Sequence, residues 1–279
     1  QPFGDFNQDG KPDVAIASLR NDQQATDAGA VYIVFGGVTL ENYDFNGFVS
    51  GTRGIRVFGS QSSGYFGHAL QGAGDFNGDG YADIIVGAYA MTYGGRGNCG
   101  MAYIIFGHGA PYNDVYVSGF GSGGAGMVII GGASSDFAGY SVSGIGDFNG
   151  DGKDDVAVGA VNTDQGGAST DSGSVYVLYG RATVTADTDL SGFSANSNGF
   201  RIYGGSTSGQ FGYSVSRAGD VNGDGRPDLL AGGQNYASGQ GIAYVIYGRS
   251  GTADIDLTSF ASNLVGFRII GTTGYQVGY

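Results

Sequence analysis

The sequence predicts an all-β protein assembled from repeated four-stranded antiparallel sheets. Three observations predict it. One acidic motif occurs four times at a near-constant period, strand-like runs of β-branched and aromatic residues follow each copy, and glycine makes up 58 of 279 residues. So much glycine argues against a helical bundle, while 4 prolines and no three-residue glycine period exclude a collagen-like chain. A hydrophobic content of 41%, with 13% aromatic, is enough for a packed core and too high for a disordered tail.

The acidic motif reads GDFNQDGKPDVAIA from Gly4, GDFNGDGYADIIVGA from Gly74, GDFNGDGKDDVAVGA from Gly146 and GDVNGDGRPDLLAGG from Gly219. Its first aspartates, Asp5, Asp75, Asp147 and Asp220, lie 70, 72 and 73 residues apart. A second strand signal follows a Gly-rich interval: AVYIVFG from Ala30, MAYIIFG from Met101, SVYVLYG from Ser174 and IAYVIYG from Ile242. A third closes the unit, as GIRVFG from Gly54, GMVIIGG from Gly126, GFRIYGG from Gly199 and GFRIIG from Gly266. The fourth leads into the next acidic motif, as YFGHALQGAGD from Tyr65, FAGYSVSGIGD from Phe137 and QFGYSVSRAGD from Gln210.

Runs such as VYIVF are continuously apolar, the mark of strands buried on both faces. Four-stranded sheets, each sandwiched between two like it around an axis, make a β-propeller. Small residues in the inner strands would let neighbouring sheets approach closely. The tail GTTGYQVGY from Gly271 aligns with GSTSGQFGY from Gly205, and Gln1 aligns with Ser216. Residues 1–279 are therefore expected to form one propeller domain, its ring closed by the C-terminal strand completing the first blade. The alternative is a portion of a larger ring.

The motif D-x-N-x-D-G-x-x-D supplies oxygen donors only. In the first copy these are Asp5, Asn7, Asp9, the Lys11 carbonyl and Asp13; in the second, Asp75, Asn77, Asp79, the Tyr81 carbonyl and Asp83. The third offers Asp147, Asn149, Asp151, the Lys153 carbonyl and Asp155, and the fourth Asp220, Asn222, Asp224, the Arg226 carbonyl and Asp228. Alternate residues of a tight loop can face one point, and Gly10, Gly80, Gly152 and Gly225 permit the turn. An all-oxygen set suits Ca²⁺, with about four ions expected, and the absence of clustered His or Cys disfavours zinc and copper. A helix-loop-helix site needs Glu at loop position twelve, where Ile16, Val86, Val158 and Ala231 stand instead. Four calcium ions would bring the formal charge from -13 to -5.

With 12 Lys and Arg against 25 Asp and Glu, nucleic acid and anionic membrane are poor partners. No apolar run reaches the length of a membrane span, so no direct membrane insertion is expected. The start from Gln1 lacks the basic end and apolar stretch of a signal peptide. Cys99, the single cysteine, cannot form an internal disulfide and is read as a surface thiol or a link to another chain.

The succession GDFNGDGxxDxxVGA, GxVYVxxG and FGYSVS resembles the FG-GAP repeat of integrin α-subunit propellers and related secreted proteins, and it covers essentially the whole chain. The resemblance implies four antiparallel strands per blade, calcium between the first two strands, and an extracellular or cell-surface location. It carries the ligand role onto Asp5, Asn7, Asp9, Lys11 and Asp13 and their counterparts. The usual ring of the family has seven blades.

For catalysis, His68 replaces Tyr140 and Tyr213 at an aromatic position of the repeated strand, which points to packing. His108 lies in a loop, Cys99 lacks an evident base, and no G-x-S-x-G elbow occurs. The chain is therefore expected not to be an enzyme. Segments near residues 37–53, 109–125, 181–198 and 249–265 vary most, and a protein or glycan ligand, or self-assembly, is expected to use them. Tyr93, Tyr112 and Tyr236 are candidate sugar platforms. The expected role is a calcium-stabilised scaffold for adhesion or assembly, with a sugar-binding lectin as the alternative.

Overall fold

The structure is a computed structural model that describes residues 2–37, 45, 47–120, 124–165, 170–184, 186–260, 265–272, 274 and 276–279. The first blade comprises β1 (Pro2–Gly4), β2 (Asp13–Ser18), β3 (Ala30–Val34) and β4 (Gly54–Phe58). The second comprises β5 (Ala69–Gly74), β6 (Asp83–Ala88) and β7 (Met101–Ile105), then β8 (Val115–Tyr116) and β9 (Gly126–Ile130). The third repeats this with β10 (Ala138–Gly146), β11 (Asp155–Ala160), β12 (Ser174–Leu178), β13 (Thr188–Asp189) and β14 (Gly199–Tyr203). The fourth has β15 (Phe211–Gly219), β16 (Asp228–Gly233), a four-residue helix α1 (Tyr236–Gly239), β17 (Ile242–Ile246), β18 (Ile255–Asp256) and β19 (Gly266–Ile270).

The repeat holds at the level of register. Ile16 pairs Tyr32, Val86 pairs Tyr103, Val158 pairs Tyr176 and Ala231 pairs Tyr244, so one aromatic ring stands at the same height in every blade. The apolar runs are buried on both faces as expected: β6, β7, β11, β12 and β17 contain only buried residues. One core fills each space between blades. Ala15, Val31 and Ile33 of the first blade meet Ile84, Val86 and Tyr103 of the second. Val142, Val158 and Tyr176 of the third meet Ile85, Ile104 and Ile129 of the second.

Close backbone approach between blades requires glycine at one repeated place. A Cβ on Gly159 would lie 2.1 Å from the Gly212 carbonyl oxygen, and one on Gly87 2.0 Å from that of Gly139. The partners Gly139 and Gly212 have φ of +79° and +89°, left-handed values that glycine alone adopts at little cost. Beside this seam His68, Tyr140, Tyr213 and Tyr279 form a row with ring centroids 5.1, 5.0 and 5.1 Å apart. His68 thus packs among aromatics, as its position in the repeat implied.

Neighbouring blades are also tied at their outer edges. β8 lies in the second repeat yet pairs in parallel with β4 of the first blade; β13 likewise pairs with β9, and β18 with β14. Each is followed by one 3₁₀ turn that buries Val117, Leu190 or Leu257. Asp114, Asp187 and Asp254 precede these short strands and bond the covered edge. Asp114 pairs in bidentate fashion with Arg56, Asp187 accepts from the Val128 N–H, and Asp254 accepts from the Arg201 N–H. Segments expected to vary freely therefore hold a shared brace, D-x-x-[VL]-[ST]-x-F; of the first such segment, residues 38–44 and 46 lie outside the described residues.

The expected completion of the first blade by the tail is not among the pairings of the described residues. Val277 bridges Gly241, Ser214 Oγ donates to the Gly278 carbonyl and Tyr279 lies against Tyr213, all on the fourth blade. The expected alignment of Gln1 lies outside the described residues. Val14 and Ile16 on the free face of the first blade are 37% and 40% exposed, whereas their equivalents Ile84 and Val86 are fully buried. Leu230 and Ile269 on the opposite end face are 36% and 51% exposed. A closed four-blade ring would cover both faces.

Replacing Gly159 by Ala is expected to destabilise the protein by about 1–3 kcal/mol through overpacking. Gly192→Ala, where a new Cβ meets nothing within 4 Å, serves as control. Denaturant titrations of the two variants check this, and equal stability would contradict the tight-seam account.

Candidate metal centre

Each acidic loop connects the first two strands of its blade. Gly74, Gly146 and Gly219 end the first strand at φ of +71°, +79° and +77°, where the strand register shifts as in a β-bulge and the chain turns into the loop. Gly10, Gly80, Gly152 and Gly225 are left-handed at +85° to +92°, as the motif requires.

The same hydrogen bonds recur in all four copies. The first aspartate accepts from the N–H of the third ligand residue and from the following glycine: Asp75 Oδ1 from Asp79 at 2.9 Å and Oδ2 from Gly80 at 2.9 Å. Asp5, Asp147 and Asp220 repeat this pattern. The asparagine oxygen of Asn7, Asn77, Asn149 or Asn222 accepts from the same third-ligand N–H. Asp9, Asp79, Asp151 and Asp224 accept from the N–H of Lys11, Tyr81, Lys153 and Arg226, so the backbone turns at the residues whose carbonyls were expected to be ligands.

The last aspartate has a different setting. Asp13, Asp83, Asp155 and Asp228 have no exposed surface. One oxygen accepts from the loop, at the N–H of Phe6, Phe76, Asn149 or Val221. The other accepts from the glycine after the third strand, Gly36, Gly107, Gly180 or Gly248. Burial, with smaller contributions from the charges of Asp79 and Asp75, pushes Asp83 up to about 8, against the lowering effect of its two N–H donors. Asp155 rises to about 7 for the same reasons, and Asp13 is raised as well.

These loops also touch the next blade. The Asp5 and Phe6 carbonyls accept from the N–H groups of Ala82 and His108, and those of Asp75 and Phe76 from Asp154 and Arg181. The Asp154 side chain returns a 2.8 Å bond to the Asp75 N–H, and Gln8 donates to the Gly80 carbonyl at 3.0 Å.

The donor set, three carboxylates, one amide oxygen and one carbonyl per loop, fits a hard cation in its chemistry, although Asp147 Oδ1 and Asp220 Oδ1 each already accept two backbone N–H groups. As placed, the carboxylates face their own loop N–H groups. Among the described residues no three His, Cys, Asp or Glu side chains are gathered as an ion would hold them.

Several other expectations are corrected. Cys99 is fully buried with its Sγ 3.5 Å from the Met91 carbonyl, so it is no surface thiol, and burial pushes its pKa up. Of the sugar platforms, Tyr93 is exposed with the Arg96 guanidinium 5.6 Å away, but Tyr112 packs on Phe35 and Tyr236 on the core between the last two blades. His108 lies against Phe6 and Tyr112. No helix among the described residues is long and apolar enough to cross a membrane.

The FG-GAP repeat family matches residues 3–34, 66–105, 138–178 and 211–246, more than half of the chain. Integrin alpha pat-2 of Caenorhabditis briggsae is 34% identical over 138 residues, covering 47% of this chain and 9% of that protein. Phosphatidylinositol-glycan-specific phospholipase D of Bos taurus is 34% identical over 169 residues, covering 60% and 18%. Integrin alpha-7 of Rattus norvegicus is 29% identical over 178 residues, covering 64% and 13%. The chain thus spans less than a fifth of the length of these relatives. The phospholipase similarity overturns the expectation that the chain is not an enzyme: the same repeats, over the FG-GAP region, occur within an enzyme, and the lack of an evident base or nucleophile here is no ground for that expectation. Four matched units lie on four sheets of one construction, and the chain belongs to the FG-GAP repeat family.

Proposed function

We propose that this chain is a calcium-stabilised propeller scaffold, extracellular or at the cell surface, that presents a binding face for adhesion or assembly. The observation that carries the reading is the fourfold repetition of one oxygen-lined loop with the same hydrogen bonds in every copy. Turn formation alone needs one or two such residues, not three carboxylates and an amide at fixed spacing four times over. The integrin similarity supports the adhesive and surface aspects.

In this reading the ligands are those named from the motif, and calcium, when bound, supplies positive charge that offsets carboxylate repulsion within each loop. The chain's own part is to hold the loop shut through the buried last aspartate. It also passes that order onward, because the loop carbonyls accept from the next blade. Partner recognition then falls to the rest of the blade surface.

Native mass measurement and calorimetry are expected to find about four calcium ions per chain. Asp79→Ala is expected to lower Tm in calcium by about 3 °C or more and to change it much less in chelator. Equal losses in both would refute the metal role of that loop. The raised carboxyls give a second test. A carboxyl whose folded pKa exceeds its unfolded value contributes stability that is complete below the unfolded value and is lost as pH rises through the folded one. For Asp83 and Asp155 that loss runs from 3.8 up through about 7 to 8. Metal-free protein is therefore expected to melt lower at about pH 8 than at about pH 5, and calcium to raise Tm most at the higher pH. A chelator-treated protein that gains stability over this range would contradict the account.

A further inference from the structure

A cleft of about 370 Å³ opens between the second and third blades, lined by Asp136, Asp164, Tyr176, Ser191 and Arg201 among others. It lies among the loops joining the second to the third strand and one blade to the next. Since the strands alternate in direction, this is the end of the blades away from the acidic loops. The repeats provide internal controls for what the fold itself demands. The corresponding cleft between the first and second blades holds about 180 Å³ and is lined by Met91, Met101 and Val128. Their equivalents in the third blade are Thr163, Ser174 and Arg201, so this cleft is polar where its neighbour is apolar; Arg56 and Arg268 hold the Arg201 position in the first and fourth blades.

Asp136 is the clearest departure. In the equivalent loops its place is taken by Gly64 and Gly209. Asp136 is 8% exposed, and only its Oδ2 has a protein partner among the described residues, the Ala133 N–H at 2.8 Å. Burial pushes its carboxyl upward, with the Arg201 charge working against that.

Arg201 departs in a second way. Its counterpart in the first blade, Arg56, is spent on the brace aspartate Asp114. In the third blade the brace aspartate Asp254 accepts instead from the backbone N–H of Arg201 and from the Tyr203 hydroxyl. The guanidinium turns to Ser174 Oγ at 2.9 Å and lies over the Tyr203 and Tyr176 rings, and it forms no ion pair among the described residues.

A carboxylate and a guanidinium that line one cleft without pairing call for a ligand that both donates and accepts. An anion would meet Asp136 and Asp164, and a cation would meet Arg201. We propose that this cleft binds a neutral polyhydroxyl ligand of mono- to disaccharide size, with Asp136 accepting from its hydroxyls and Arg201 donating to its oxygens. This inference does not rest on calcium in the loops.

The test is titration of the intact chain with glucose, galactose, mannose and N-acetylglucosamine, followed by saturation-transfer NMR and calorimetry. At least one sugar is expected to bind saturably, one per chain, with Kd of about 1 mM or tighter. Asp136→Gly, which restores the residue of the sister loops, is expected to weaken binding at least about tenfold. Ser191→Trp, at the exposed lip, is expected to abolish it, and Arg268→Met at the matching position of the fourth blade to leave it unchanged. Should Asp136→Gly fail to fold, the lip variant decides. No saturable binding by any of the four sugars, or binding that survives both cleft variants, would overturn the proposal.

Discussion

Each blade is organised around a buried carboxylate that accepts one backbone N–H from the acidic loop and one from the end of the third strand. Asp13, Asp83, Asp155 and Asp228 thereby tie the acidic loop and the start of the second strand to the end of the third. A buried carboxylate without such donors would carry a heavy desolvation penalty. The N–H groups at Gly36, Gly107, Gly180 and Gly248 are therefore part of the motif even though they lie some twenty residues beyond it. Glycine is needed there because a Cβ on Gly107 would come within 2.5 Å of the Ala82 carbonyl oxygen. That one contact joins the acidic repeat to the FG and YG pairs that end the third strands.

Much of this was legible in the sequence for a physical reason: the constraint recurs four times, so chance composition averages away. The four strands of each blade, the left-handed loop glycines and the packing role of His68 all followed from aligned positions. The braces are hard to read in the sequence because residues 109–125, 181–198 and 249–265 differ at most positions between repeats. The shared aspartate and phenylalanine of Asp114–Phe120, Asp187–Phe193 and Asp254–Phe260 sit among unlike neighbours. The tail's likeness to the residues up to Tyr213 extends to its contacts, since the Val277–Gly241 bridge repeats those of Ala138 with Gly100 and Phe211 with Gly173, and its pairing with β2 is not among the pairings of the described residues. The burial of Cys99 was illegible because it depends on Met91 and on packing from the adjacent blade.

Repetition also separates what the fold needs from what it tolerates. A residue shared by all blades, such as Tyr32, Tyr103, Tyr176 and Tyr244, is accounted for by packing. A polar group in one blade where its sisters are glycine, such as Asp136 in the place of Gly64 and Gly209, has no such account. The acidic loops and the cleft thus rest on opposite kinds of evidence, sameness for the first and exception for the second.

The outer-edge braces have a directional consequence. Every internal blade lends a short parallel strand to its predecessor and receives one from its successor, so the two sides of a blade are chemically unlike. β19 of the fourth blade, with Ile269 and Ile270 exposed, offers the receiving edge. Any further sheet that seats there must arrive in a head-to-tail sense, because two receiving edges have no strand to exchange. Such an interface is heterologous rather than two-fold symmetric, and the molecule carries a built-in polarity around its axis.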